Sequence, residues 1–135
     1  MPTSIRIRRE ILARLSEEAR SSPEIECCGL LAGTGGIITE ILPARNALAS
    51  PTAYEIAPEE LFHLFRQLRY RGLDHLGIYH SHPATDNAPS PTDVLRAYYP
   101  DAAYFILSPR ADAERPIRAF EIRDGAAMEM EIVQE

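Results

Sequence analysis

The stretch His80-Ser81-His82-Pro83-Ala84-Thr85-Asp86-Asn87-Ala88-Pro89-Ser90-Pro91-Thr92-Asp93 constrains this chain more than any other. One residue separates the two histidines, and ten residues lie between His82 and Asp93. Residues i and i+2 of a strand point to the same side, so His80 and His82 at a strand end address one point in space. Ser90-Pro91-Thr92-Asp93 reads as a helix start, with Ser90 at the N-cap, Pro91 at the first helical position and Asp93 at the third. A fold of this chain that uses all three residues has to bring that strand end and that helix start together. Two imidazoles and a carboxylate form the three-ligand set of a catalytic zinc whose fourth position stays open to water. Ser-x-x-acid is also a plain capping signature that needs no metal. The two readings are compatible, because a capped helix end holds its aspartate still.

The rest of the pattern supplies such a strand and helix. His75 to Tyr79 is a strand running into the motif, and a helix is predicted from Ser90-Pro91 to about Tyr98. Upstream, Ser4 to Ile7 is a short strand. Arg8 to Ala19 is an amphipathic helix with Ile11, Leu12, Leu15 and Ala19 at helical spacing. The apolar run Cys27 to Ala32 is a buried strand, joined through a turn at Gly33 to Gly36 to a second strand, Ile37 to Leu42. Asn46 to Pro51 is loop, and Tyr54 to Ile56 is a short strand candidate. Pro58 opens a helix with Glu59 and Glu60 in its first turn; Leu61, Phe62, Leu64, Phe65 and Leu68 supply its buried face, and Gly72 stops it. Ala103 to Leu107, Ile117 to Ile122 and Met128 to Ile132 are three further strands. Strands interleaved with helices and closing in antiparallel strands indicate an α/β fold of the α+β sandwich kind.

A chain of 135 residues, 45% apolar and 25% charged, fits one soluble domain over residues 1–135. The stretch from Met1 to Leu12 lacks the apolar core and cleavage site of a signal peptide, and no apolar run approaches a membrane span. Cys27 and Cys28, the only cysteines, are adjacent and cannot easily bridge to each other, so reduced thiols and a cytoplasmic location are expected. The net charge of −6 speaks against non-specific nucleic-acid binding. Arg66, Arg69 and Arg71 read as a solvated helix face, with a docking patch for an acidic partner as the alternative. The oligomeric state is not legible, although the final strand offers an exposed edge.

A zinc hydrolase also needs a general base for the attacking water. Glu26 stands out because a glutamate leading into the buried Cys27-Cys28-Gly29-Leu30-Leu31-Ala32 run is oddly placed unless its carboxylate has a partner. Its neighbour Glu24 is a nearly equal candidate on these grounds. His63 and His75 have no patterned partner and read as structural or surface residues, and Tyr79 as packing.

Glu26-Cys27-Cys28-Gly29-Leu30-Leu31-Ala32-Gly33, His80-Ser81-His82-Pro83, Ser90 and Asp93 together closely resemble the JAMM (JAB/MPN+) metalloproteases. The similarity extends over nearly the whole chain, including Asn46, Ser50-Pro51-Thr52 and the Pro58-Glu59-Glu60 helix opening. The resemblance implies a cytidine-deaminase-like MPN/JAB fold, a mixed β-sheet core flanked by helices. It implies one zinc per chain on His80, His82 and Asp93. It singles out Glu26 over Glu24 as the group that holds and deprotonates the fourth ligand, a water, and then passes the proton to the leaving amine. Ser90 would donate to the oxyanion.

The chain lacks the long insertions of the family's deubiquitinating members and looks like the short bacterial branch. That branch is associated with ubiquitin-like sulfur-carrier proteins, cleaved after their C-terminal Gly-Gly. The type most similar in His80 to Val94 and Pro100 to Arg110 releases a cysteine newly made on the carrier, which implies a place in cysteine biosynthesis. The carrier's tail would lie along an exposed strand edge. The competing readings are a non-catalytic MPN-type interaction module with a structural metal, and another zinc hydrolase such as a nucleoside deaminase. Three ligands with an open position speak against the first. The missing H-x-E and P-C-x-x-C signature speaks against the second.

Overall fold

A computed structural model describes residues 3–135. Met1 and Pro2, part of the stretch read above for a leader segment, lie outside the described residues. In chain order the elements are β1 (Ser4–Ile7), α1 (Arg9–Arg20), β2 (Cys28–Thr34), β3 (Ile37–Ala44), α2 (Pro58–Arg71) and β4 (Asp74–Ser81). They are followed by α3 (Pro91–Leu95), β5 (Ala103–Leu107), β6 (Ile117–Arg123) and β7 (Ala126–Gln134). The strands form one mixed sheet in the order β1-β3-β2-β4-β5-β6-β7, which closes because β7 also pairs with β1. This is the expected mixed sheet flanked by helices.

β2 and β4 make the centre. The only exposed residue of β2 is its last, Thr34, because both faces of the strand are covered. Leu31 and Tyr79 join the core that receives Ile11, Leu15 and Ala19 of α1, while Leu30 and Ile78 join the core that receives Leu64 and Leu68 of α2. Two apolar layers on one sheet follow from the alternation of side chains along each strand. Each fully buried leucine, such as Leu15, contributes about 1.5–3 kcal/mol through removal from water. The β2–β3 hairpin turns at Gly35 and Gly36, both at positive φ (62° and 76°), a conformation that glycine adopts without steric cost. At the other end of β2, Gly29 leaves room for Tyr79: a Cβ there would lie 2.5 Å from the tyrosine ring and from the Leu42 carbonyl oxygen.

Four local expectations change. Tyr54 to Ile56 is extended but is not a strand, because the Asn46 side-chain oxygen takes the Glu55 N–H in place of a ladder partner. α3 ends at Leu95, short of Tyr98; the chain leaves the helix so that Tyr99 packs against Phe65 and His75, and the Tyr104 hydroxyl accepts the Tyr99 N–H. Phe62 points to solvent at 66% exposure, because it sits off the stripe of Leu61, Leu64, Phe65 and Leu68. Nor is β7 an exposed edge: it pairs with β6 on one side and β1 on the other.

Candidate active site

The end of β4 holds both histidines rigidly. His80 lies between Cys28 of β2 and Ile106 of β5 in the two ladders. One step past the strand, the His82 main-chain N–H donates to the Leu107 carbonyl at 2.9 Å. Both side chains are buried, at 1% and 5% exposure. The His82 Nδ1 lies 2.7 Å from the Asp86 main-chain oxygen. A carbonyl only accepts, so Nδ1 carries a proton, and Nε2 is the atom turned toward Asp93 and His80. His80 is held differently. Tyr54 stacks on its ring at 4.5 Å between centroids and 20° between planes, and its Nδ1 is buried with no partner among the described residues.

Asp93 reaches both rings: Oδ1 is 3.2 Å from His80 Nε2 and Oδ2 is 3.0 Å from His82 Nε2. The capping reading and the site reading describe one geometry. Ser90 Oγ accepts the Asp93 main-chain N–H at 3.0 Å, and Asp93 Oδ2 accepts the Ser90 N–H at 2.9 Å. The Ser90 hydroxyl proton remains available to a further acceptor, since that bond uses only an oxygen lone pair. Burial works against ionised Asp93, but hydrogen bonds from the two histidines outweigh it and hold the carboxyl well below the usual carboxylate range. Burial lowers the His80 pKa. At His82 the same burial is outweighed by Asp93 and the Asp86 carbonyl, and the net shift is upward.

Glu26 meets this group from β2. The β2–β4 pairing continues past Cys28: the Ser81 N–H donates to the Cys27 carbonyl at 3.1 Å, and the Cys27 N–H donates to Ser81 Oγ at 2.9 Å. One more step sets Glu26 beside His82. Glu26 is 3% exposed, and its Oε1 has no hydrogen-bond partner among the described residues. Burial pushes its pKa up to about 7, with His82 pulling it down and Asp93 pushing it up. Its main chain is clamped on both sides, N–H to the Ser50 carbonyl at 2.9 Å and carbonyl to Asn46 Nδ2 at 3.0 Å. Glu24 is exposed. The structure therefore brings together all five residues singled out in the sequence: Glu26, His80, His82, Ser90 and Asp93.

Several neighbours were not legible as parts of this site. Ser81 stitches the β2 lead-in to β4. Asn46, 6% exposed, also donates to the Ala53 carbonyl and accepts the Leu48 and Glu55 N–H groups, so one amide ties Glu26 to the segment carrying Tyr54. The Asn46 and Tyr54 signals in the sequence are single residues without spacing, which is why pattern reading passes over their contacts. His63 is exposed and contacts Gln67, while His75 packs against Phe65 and Tyr99, so neither joins the site. Cys27 and Cys28 are free thiols.

One donor atom from each of His80, His82 and Asp93 lies within 4.8 Å of the others. Two imidazole nitrogens and a carboxylate oxygen suit a divalent metal of the zinc class. The unpartnered Glu26 oxygen is a buried acceptor that such a centre would use. A cleft of about 240 Å³ opens on His80 and Asp93, lined further by Thr52, Tyr54, Arg96 and Tyr98.

Residues 8–123 match the family described as prokaryotic homologs of the JAB domain. The desampylase of Haloferax volcanii is 41% identical over 105 residues, which are 76% of this chain and 76% of the relative. The CysO-cysteine peptidase of Mycobacterium tuberculosis is 36% identical over 125 residues, 91% of this chain and 86% of the relative. A solved structure of a protein from Desulfitobacterium hafniense superimposes with a TM-score of 0.83 at 31% identity, over 97% of this chain and 92% of that one. A JAB1/MPN domain protein from Archaeoglobus fulgidus shares the fold, with a TM-score of 0.63 at 22% identity over 96% and 97% of the two chains. The chain belongs to the prokaryotic branch of the JAMM/JAB family.

Proposed function

We propose that this protein is a zinc-dependent peptidase that cleaves after the C-terminal Gly-Gly of a small ubiquitin-like sulfur-carrier protein. The observation that carries the reading is the convergence of His80, His82 and Asp93 within 4.8 Å, beside a cleft and next to a buried carboxylate with one oxygen unpartnered among the described residues. The relatives' names, desampylase and CysO-cysteine peptidase, support hydrolysis at a small protein carrier.

Zinc, when bound to His80, His82 and Asp93, supplies a Lewis acid that polarises the scissile carbonyl and acidifies a water. Glu26 takes the proton of the attacking water and hands it to the leaving amine; its enclosure disfavours the charged carboxylate, the direction that suits a group that both takes and returns a proton. Ser90, already fixed through its oxygen to Asp93, donates its hydroxyl proton toward the carbonyl oxygen as negative charge builds there. The carrier's extended tail enters the cleft along Thr52 to Ile56. Asn46 and Ala47 occupy the main-chain groups of Glu55 from one side, which leaves the other edge of this segment for pairing by strand addition. Glycines at the cleavage site allow the backbone to come close to the ligands. Released cysteine would meet a protein whose own thiols stay reduced, as in a reducing compartment.

The test is intact-mass analysis of a ubiquitin-like carrier bearing one cysteine after its Gly-Gly, incubated with the zinc-loaded protein. Loss of one cysteine residue is expected, with a Gly-Gly–lysine isopeptide conjugate run in parallel to define the leaving group. An intact mass for both substrates, with zinc verified in the site, would contradict the reading.

A further inference from the structure

The loop from Pro83 to Asn87 does more than join β4 to the helix start. We infer that Asn87 is a positioning residue that sets the metal affinity of His82 by holding the loop carbonyl that orients its ring. The inference rests on the metal-centre reading above and assigns no chemistry to Asn87 itself.

Asn87 is 4% exposed and lies outside the five site residues. Its Nδ2 donates to the Ile106 carbonyl of β5 at 3.2 Å and to the Arg115 carbonyl, just before β6, at 2.8 Å. The residue before it, Asp86, presents its main-chain oxygen to His82 Nδ1 at 2.7 Å. The main-chain N–H of His82 donates to Leu107, the neighbour of Ile106. The bonds close a circuit: Leu107 holds the His82 backbone, the His82 ring holds Asp86, and Asn87 returns the loop to Ile106. Its two ends grip successive carbonyls of one strand.

That circuit has a chemical consequence. Aimed at Nδ1, the Asp86 carbonyl makes His82 a donor there and turns Nε2 toward Asp93 and His80. Among the described residues His80 has no such acceptor at its Nδ1, so His82 is the histidine whose ring this loop orients. The Asp86 carboxylate contributes little to holding the loop: it is 83% exposed and 4.0 Å from Arg118. The anchor is the Asn87 amide, whose two N–H groups match two carbonyls. Aspartate at the same place offers no N–H and sets an oxygen against both.

Zinc affinity of the full chain, measured by competition with a chromophoric chelator, tests this together with nitrogen-15 spectra of the His82 ring in zinc-free protein. Asn87→Ala should weaken zinc binding by roughly 10- to 100-fold, the usual effect of removing support behind a ligand. It should also shift the His82 Nδ1 resonance, because the hydrogen bond to the Asp86 carbonyl is lost when the loop is released. Asn87→Asp, which keeps the shape, should do the same and serves where the alanine variant fails to fold. Asp86→Ala keeps the main-chain oxygen and should leave both readings unchanged. Folded Asn87 variants with wild-type affinity and an unchanged His82 Nδ1 resonance would overturn the inference alone. Failure of the wild type to bind zinc would overturn the metal centre and the inference with it.

Discussion

Glu26 shows how far a single residue can be read. Its place before an apolar strand marked it as odd, and Glu24 shared that mark. What separates them is burial, since one carboxylate is enclosed beside His82 and the other is in water. That difference depends on the loop from Asn46 to Glu55 folding back over the β2 lead-in. No local pattern announces that event, although the buried asparagine at its hub is in plain sight. The enclosure has a measurable cost. The folded pKa of Glu26, about 7, lies above the ordinary carboxyl value of 4.5, so the fold favours the protonated form. The resulting stabilisation is present below the unfolded pKa and is lost as the pH rises through 7. Zinc-free Glu26→Gln should therefore match the wild type in urea unfolding near pH 4.5 and exceed it above pH 7. The expected difference at high pH is on the order of 3 kcal/mol. A difference that does not change with pH would mean that Glu26 is not enclosed in solution.

At the scale of elements, the sequence reading did best where periodicity is long and packing is mutual. β2, β4, β5 and both long helices stand where alternation, helical spacing and stop signals place them. It did worst where a side chain substitutes for a backbone partner. Tyr54 to Ile56 has strand-like residues, but Asn46 takes its hydrogen bond, and α3 stops at Leu95, after which Tyr99 packs against Phe65 and His75. Phe62 shows the limit of composition without phase, being apolar and next to the buried stripe yet turned outward. One close contact between elements is hidden by the sequence in a glycine. Gly29 faces Tyr79 across β2 and β4, and Tyr79 donates to Glu18 of α1. Gly29→Ala should destabilise the protein by about 1–3 kcal/mol or more, because the new methyl meets main-chain oxygen as well as the ring. Thermal unfolding of this variant measures it; an unchanged midpoint would mean that β2 and β4 do not approach as closely as described.

Across the whole molecule, the closure of the sheet is what the sequence did not disclose. A final strand with alternating Met128, Met130 and Ile132 reads as an edge, but its parallel pairing with β1 joins residues more than a hundred positions apart, and no local signal specifies that. The closed sheet leaves β7 no free side, so the proposed tail-binding edge is the segment beside the cleft. The loop between the β4 end and the α3 start is tied through Asn87 to β5 and to Arg115. The cluster of His80, His82, Ser90 and Asp93 was legible early because the four lie within fourteen residues, a span short enough for spacing to carry geometry. Glu26, fifty-four positions before His80, stood out by its place before an apolar run, but only the family resemblance separated it from Glu24.

The decisive measurement sets zinc content beside turnover on a Gly-Gly substrate for the wild type, Glu26→Ala and His82→Ala. The wild type should carry one zinc and cleave. Glu26→Ala should keep the zinc and lose at least about a hundredfold in rate, the usual scale for a general base, and His82→Ala should lose both. A Glu26→Ala protein that turns over normally, or a His82→Ala protein that keeps full zinc and activity, would contradict the division of labour between the ligands and the base.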